Sequence, residues 1–470
     1  MQHQLRRALQ SKSQKWLLVP LAASLLMFVF LEITGRHQVR VEPDSQDYIE
    51  YSFVSLPAML SGIRTPGYPI FVAFAKRTFG LHAIPYFHWF AYSSAVVLFF
   101  FGLRRVGVRT STSAMCCGAM MFSTSLTDLG PAVLSDSLAI SLAVAAIAAT
   151  LFCVSPQAKW KHWYLMSGLV TAAYLVRPAL LFMLLLVPLL VAWLDVWLLR
   201  RDEVLYLRFK RLLICAMFTI APFVAYCGLR LAVVGEFGFV SFAGYNIVGI
   251  AGQGIDDDVV QQLPSEMQPL AHQIAVRRDQ LSGYRAPVDY ESMEKMFNPV
   301  VWEIAVPTAK QLFGDDPRVI NRKLKDLSQQ VLSIKPTFYR QWLLWNGKHA
   351  IRNMLELVLR DIGTLMAVAM AFGTIVFHLV FGARIVDNKG HCQAGVQQQN
   401  LELQILFWIA ISYTVSCTLL IMLVEPTLGR YLTSATPFWP AFVALFSLQL
   451  GERLLHQTAN SRQAAQCSDR

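Results

Sequence analysis

The sequence predicts an all-α, polytopic membrane protein, on three observations. Its apolar residues fall in blocks of about 15–25, the length a helix needs to cross roughly 30 Å of hydrocarbon. Only 15% of its 470 residues are charged, 55% are hydrophobic and the mean hydropathy is +0.44, whereas soluble chains carry about 25% charged residues. Its lysines and arginines gather between the apolar blocks, as orientation signals do. Lipid cannot satisfy open backbone groups, so helices are the economical spanning element, and the alternating ten-residue segments of a porin-like barrel are absent. The net charge of +11 is therefore an orientation signal; no nucleic-acid module is visible.

In chain order the blocks predict spans at 16–33, 84–103, 112–127, 136–154, 162–176, 179–199, 211–233, 362–382, 404–424 and 431–450. That is about ten helices, within a range of nine to twelve, in a bundle with interfacial helices in the first outer loop. The first block has a basic flank like a signal peptide, but "LEITGRHQ" offers no small-x-small cleavage site, so an uncleaved anchor is expected. The short apolar run from Tyr68 to Phe79 reads as an interfacial segment.

With the N-terminus inside, the inner segments hold 19 Lys and Arg and the short outer segments seven. The inner set includes Arg200, Arg201, Arg384, Lys389 and Arg470. This asymmetry supports ten spans with both termini on the inner, cytoplasmic side. The chain then divides into an N-terminal membrane module (1–233, first outer loop 34–83), an extracytoplasmic and mostly helical loop (234–361), C-terminal membrane helices (362–454) and a cytoplasmic tail (455–470).

The long loop is built to fold. Ile320, Leu324, Leu327, Val331 and Ile334 recur at helical spacing and stop before Pro336. "TFYRQWLLWNGKHAIRNML" mixes Trp342 and Trp345 with basic residues, suiting a helix at the membrane surface. Asp256, Asp257 and Asp258 read as a solvated helix start. Six of the eight cysteines fall in spans and none outside, so no disulfide framework is expected.

The stretch "VEPDSQDYIEYSFVSLPAMLSGIRTPGYPIF", 41–71, sets carboxylates and an arginine at the mouth of the first span. Locally, Asp44 and Asp47 read as a helix cap and a first-turn acid. Position adds a second reading: a carboxylate near bilayer depth suits a general base acting on a hydroxyl. Arg64 precedes a Pro-Gly-x-Pro turn, where Gly67 allows a tight bend and the prolines stiffen it. Arg64, Arg177 and Arg430 stand at outer span ends. Interfacial snorkelling is the ordinary use of such arginines, but a guanidinium fork also suits a phosphodiester.

"PDSQDY" followed by "RTPGYPIF" resembles the first outer loop of the GT-C glycosyltransferases, in the branch of protein O-mannosyltransferases and the lipid A aminoarabinose transferase. "PAVLSDSLAISL", "AAYLVRPALLF", "IKPTFYRQW" and "GRYLTSATPFWP" follow in matching order. The resemblance implies transfer of a sugar from a polyprenyl-phosphate donor (undecaprenyl or dolichyl type) to a glycan, lipid or protein acceptor, with inversion and on the extracytoplasmic face. It makes Asp44 the catalytic acid residue, leaves Asp47 to position the acceptor or finish a helix turn, and assigns the donor phosphate to Arg64, Arg177 and Arg430. Asp136, Tyr48, Tyr68, Glu425 and Tyr431 are the candidate substrate-binding residues, with helix capping as the plain reading of Asp136 and packing that of the two tyrosines Tyr48 and Tyr68. An oxygen set of Glu42, Asp44, Asp47 and Asp136 would suit magnesium or manganese, but no histidine sits at ligand spacing and the resemblance implies that many relatives in the branch need no metal, so no cofactor is expected. The alternatives are a transporter or flippase for a lipid-linked or anionic substrate, a polysaccharide polymerase or ligase, and an assembly subunit. A transporter would place ionisable groups mid-span, where these spans are nearly free of charge.

Overall fold

The structure is a computed structural model that describes residues 2–195, 205–281, 289–381 and 392–468. Arg200, Arg201, Arg384, Lys389 and Arg470, and the ends of the 179–199 and 362–382 spans, lie outside the described residues. The described residues are helical, with no strand among them. The one isolated bridge described joins Arg40 to Ala132.

Among the described residues, five helices are long and apolar enough to cross a membrane: Lys15–Ile33, Leu81–Arg105, Ser135–Val154, Leu205–Val234 and Gln398–Val424. The other sequence-predicted spans are shorter or broken. The 112–127 block forms Thr110–Met121 and then a separate Thr124–Asp128 turn. Twelve residues rise only about 18 Å, and the break is held by Asp361, which accepts from Ser123 Oγ at 3.1 Å and Thr124 N–H at 2.7 Å. Trp160–Val176 stops at Arg177–Pro178. A 3₁₀ turn, Pro178–Phe182, precedes Met183–Trp193. Ile362–Phe381 has a shorter apolar part, Ile362–Gly373. The 431–450 block divides into Gly429–Thr433 and Trp439–Ser468. That last helix continues through the segment expected to be a tail.

Polar contacts sort the helix ends into two groups. At one end Arg105 meets Gln157, Arg109 pairs with Glu402 at 3.0 Å, and Gln399 donates to Glu452 at 2.7 Å. At the other, His88 bonds Gly130 O at 2.8 Å, Arg230 donates to Leu60 O at 3.0 Å, and Asp361 holds Ser123. Counting the shorter helices between them, direction therefore alternates along the chain, so that Leu81–Arg105 and Ser135–Val154 end on the same side. Ser135–Val154 is the central one, with 94% of its apolar window buried. Its alanines admit close neighbours: a Cβ on Gly102 would lie 2.9 Å from Ala148 O.

The long loop has its own hydrophobic cluster, drawn from Tyr245 to Trp342. Ile320, Leu324, Leu327 and Val331 are buried there on the Pro317–Ile334 helix, and Asp256 caps Asp257–Gln262 through Val259 N–H at 3.0 Å. Trp342 lies in this cluster rather than on the surface, with its indole N–H on Met422 O at 3.2 Å. Among the described side chains, the cysteines Cys116, Cys117, Cys153, Cys215, Cys227 and Cys417 are buried and free.

Candidate functional site

Asp44 occupies the cap position of the Ser45–Ile49 helix, but its side chain caps nothing. The chain before it is fixed elsewhere. Arg40 N–H donates to Pro131 O, and Val133 N–H donates to Arg40 O, both at 2.9 Å. This short ladder lies four residues before Asp44 and three before Asp136, so it brings the two acids to one place. One helical turn beyond Asp44, Tyr48 is buried against Tyr68, ring centroids 4.8 Å apart, with its hydroxyl 3.4 Å from Ser135 Oγ.

The carboxylates and guanidiniums then alternate in one chain. Arg64 reaches Asp47 at 2.9 Å and Asp44 Oδ1 at 3.2 Å. Arg430 reaches Asp44 Oδ2 at 3.1 Å and Asp136 Oδ2 at 3.5 Å. Arg177 meets Asp136 Oδ1 at 2.8 Å. Side-chain exposure falls along it, from 44% at Asp47 and 37% at Asp44 to none at Asp136. Aromatic faces hold the cations in place: Arg64 lies over Tyr48 at 5.2 Å, and Arg177 and Arg430 lie over Tyr431 at 5.8 and 5.7 Å.

Glu425 sits beside this chain, accepting from Asn246 Nδ2 at 2.7 Å. The connection that carries Glu425 and Arg430 is pinned from the long loop. Thr427 N–H donates to Tyr290 Oη and to Asn346 Oδ1, each at 3.0 Å.

Burial works against charge on Arg64, Arg177 and Arg430, but the carboxylates and tyrosines beside them outweigh it and leave all three above the ordinary arginine range. Burial raises the Glu425 carboxyl, opposed by Arg177 and the Asn246 hydrogen bond. The ion pairs at Asp136 are close but poorly aligned: neither carboxylate oxygen receives a well-directed hydrogen bond, and Nε of Arg177 and of Arg430 finds no acceptor. Buried polar atoms of this kind are costly unless something completes them.

A cleft of about 290 Å³ adjoins the exposed end of the chain, lined by Gln46, Asp47, Glu50, Tyr51, Gly62, Ile63 and Arg64. The structure thus gathers Asp44, Asp47, Arg64, Asp136, Arg177 and Arg430 in direct contact, with Tyr48, Tyr431 and Glu425 against them. Tyr68 is one layer below, fully buried, with its hydroxyl 3.4 Å from His88 Nε2. Glu42 turns away to Arg40 at 2.5 Å. Guanidiniums stand between the remaining acids, and no group of three His, Cys, Asp or Glu suited to a metal occurs among the described residues.

Phe242 and Asn246 join the site without having been expected there from the sequence. Phe242 covers Arg64 at 5.7 Å, and it and Asn246 lie in "SFAGYNIVGIAGQG", an apolar, glycine-rich run inside an otherwise polar loop. That change of composition is the available signal. Gly67 also acts differently from expectation. It is the first residue of the Gly67–Thr78 helix, with no positive φ, and its small size serves a close approach.

No protein-family model matches this chain, and no curated protein matches it.

Proposed function

We propose that this protein is an integral membrane glycosyltransferase of the GT-C type, moving a sugar from a polyprenyl-phosphate donor to an acceptor hydroxyl. In this reading all ten alternating helices serve as membrane spans, both termini face the cytoplasm, and the site opens on the extracytoplasmic side of a bacterial inner membrane. The observation that carries it is Asp44 held between Arg64 and Arg430 at 3.2 and 3.1 Å, beside a cleft and at the end of the helix bundle.

Asp44 serves as base. It accepts the proton of the acceptor hydroxyl while that oxygen attacks the anomeric carbon. The bond from that carbon to the donor phosphate breaks, its electron pair leaves with the phosphate, and the configuration inverts. Arg64, Arg177 and Arg430 meet the charge that grows on the leaving phosphate, so no step is assigned to a divalent cation. Asp136 and Glu425 orient the arginines, and Tyr48 and Tyr431 shape the groove. The polyprenyl tail stays among membrane lipids, and the acceptor is a glycan, lipid or protein hydroxyl. A carrier would gather its ionisable groups mid-bundle; here they sit at helix ends.

Mass spectrometry of envelope glycans and lipids tests this. A deletion strain is expected to lose a glycosylated species that the wild-type gene restores and Asp44→Asn does not. An unchanged glycan and lipid profile in the deletion strain would remove the proposal.

A further inference from the structure

Arg430 is overcommitted. One nitrogen, Nη2, lies 3.1 Å from Asp44 Oδ2 and 3.5 Å from Asp136 Oδ2, while Nε on the same guanidinium is buried without an acceptor. Charge is tightly matched as well: Asp44, Asp47 and Asp136 already oppose Arg64, Arg177 and Arg430 within the chain of contacts. A phosphodiester monoanion arriving there finds no spare cation, so it must take one from a carboxylate. Asp136 is fully buried and holds Arg177 from the far side. Asp44 is part-exposed and is the partner that a phosphate can displace. The Arg430 backbone is not free to follow. It lies on Gly429–Thr433, three residues after Thr427, which Tyr290 and Asn346 fix. What can move is the side chain.

We propose that Arg430 is a shared cation: Asp44 holds it at rest and yields it to the donor's phosphate, and this hand-over frees Asp44 Oδ2 to take the acceptor's proton. The inference rests on the glycosyl-transfer reading. It adds an order of events, donor before acceptor, because the base stays engaged until phosphate arrives. It also balances charge through the step. The donor begins as a monoanion beside the Asp44 carboxylate. The acceptor proton ends on Asp44, and the departing polyprenyl phosphate ends as a dianion. One negative charge crosses Arg430 from Asp44 to phosphate, with nothing gained or lost. Asp136 is a positioning residue in this scheme, keeping Arg430 within reach of both.

Binding of undecaprenyl monophosphate to the purified full-length protein in nanodiscs tests the hand-over, with undecaprenol as the uncharged control. Asp44→Asn removes the competing carboxylate charge, so affinity is expected to rise by up to about fivefold, the range of one part-exposed ion pair. Arg430→Gln is expected to weaken binding, and the double variant Asp44→Asn with Arg430→Gln to lose the gain. Asp47→Asn, which touches Arg64 alone, is expected to change affinity less. Asp44→Ser repeats the test with a smaller side chain. Affinity unchanged or lower in both Asp44 variants overturns the hand-over and leaves the glycosyl-transfer reading standing. Wild-type protein that binds the phosphate no better than undecaprenol overturns both.

Discussion

Gly67 and Leu175 meet backbone to backbone: a Cβ on Gly67 would lie 2.6 Å from the Leu175 carbonyl oxygen. This contact joins the two chains that carry Arg64 and Arg177, since Arg64 lies three residues before Gly67 and Arg177 two after Leu175. Even a methyl group there forces the helices apart. Gly67→Ala is expected to cost about 1–3 kcal/mol, the usual penalty of overpacking, and Gly67→Val more. Thermal melts of the purified protein check this, and an unaltered midpoint for Gly67→Val would show that the two segments slide freely.

Asp44 and Asp47 share Arg64 but differ in what else they touch. Asp44 also holds Arg430, and Asp47 does not. In the proposed transfer Asp44 is the base, and removing a general base costs about 10²–10⁴ in rate, so Asp44→Asn is expected to lose transfer by that order. A part-exposed pair is worth about 0.2–1 kcal/mol, so Asp47→Asn is expected to slow transfer only a few-fold. Assays of labelled-sugar transfer in membranes, normalised to protein amount, separate the two. Equal losses would move the base role off Asp44.

These contacts also show what a sequence can and cannot disclose. Ile320, Leu324, Leu327 and Val331 were readable because a helix repeats its buried face at a fixed spacing, and all four are buried. The arginines at span ends were readable because apolar blocks delimit them. The partners were not. Local pattern favours a cap at Asp44, yet its side chain serves Arg430, 386 residues away. Asn246 meets Glu425 across 179 residues. The broken spans have the same cause. Asp361 holds the kink after Met121, and Thr414 donates to Ala435 O at 2.6 Å where the 431–450 block divides. Composition marks these stretches as apolar but says nothing of the distant side chain that interrupts them.

Asp136 is buried with Arg177, so the pair is a structural liability if halved. Asp136→Asn leaves Arg177 without its counter-charge, a loss of about 3–5 kcal/mol for a broken buried pair. The amount of protein in the membrane is expected to fall sharply. Replacing both partners by apolar residues of similar volume is often neutral, so Asp136→Leu with Arg177→Met is expected to recover abundance while transfer stays lost. Quantitative blots beside activity assays read both outcomes; recovered activity in the double variant would show that neither residue serves the reaction.

Glu425 gives the protein a pH signature. Burial raises its carboxyl above the ordinary 4.5, so the folded state binds that proton more tightly than the unfolded state does. As pH rises from 4.5 through the raised value, the folded state holds more protons, and the Glu425 contribution to stability falls. Below that window the group is protonated in both states and the penalty vanishes. Glu425→Gln keeps an amide oxygen for Asn246 but cannot ionise. Its melting temperature is expected to equal wild type near pH 4 and to exceed it near pH 7 by on the order of a degree or more. A constant gap between the two melting temperatures across that range would count against the assignment.

The alternating helix directions can be read from outside the cell. Val54, in the segment between the first two long helices, is 91% exposed, and Ala158 is exposed in the turn after Ser135–Val154, beside the Arg105–Gln157 contact. If the helices serve as ten spans, these positions face opposite sides of the membrane. The buried native cysteines give a quiet background once Cys392 and Cys467 are changed to serine. In that background Val54→Cys is expected to react with a membrane-impermeant maleimide on spheroplasts, and Ala158→Cys only after permeabilisation. The side that labels decides where the site opens. Asp44, Asp136, Arg177 and Arg430 stand at the Val54 end, which the proposed extracytoplasmic transfer requires to face outward. Labelling of Ala158→Cys on intact spheroplasts, with Val54→Cys protected, would turn the protein over and place the ion chain in the cytoplasm.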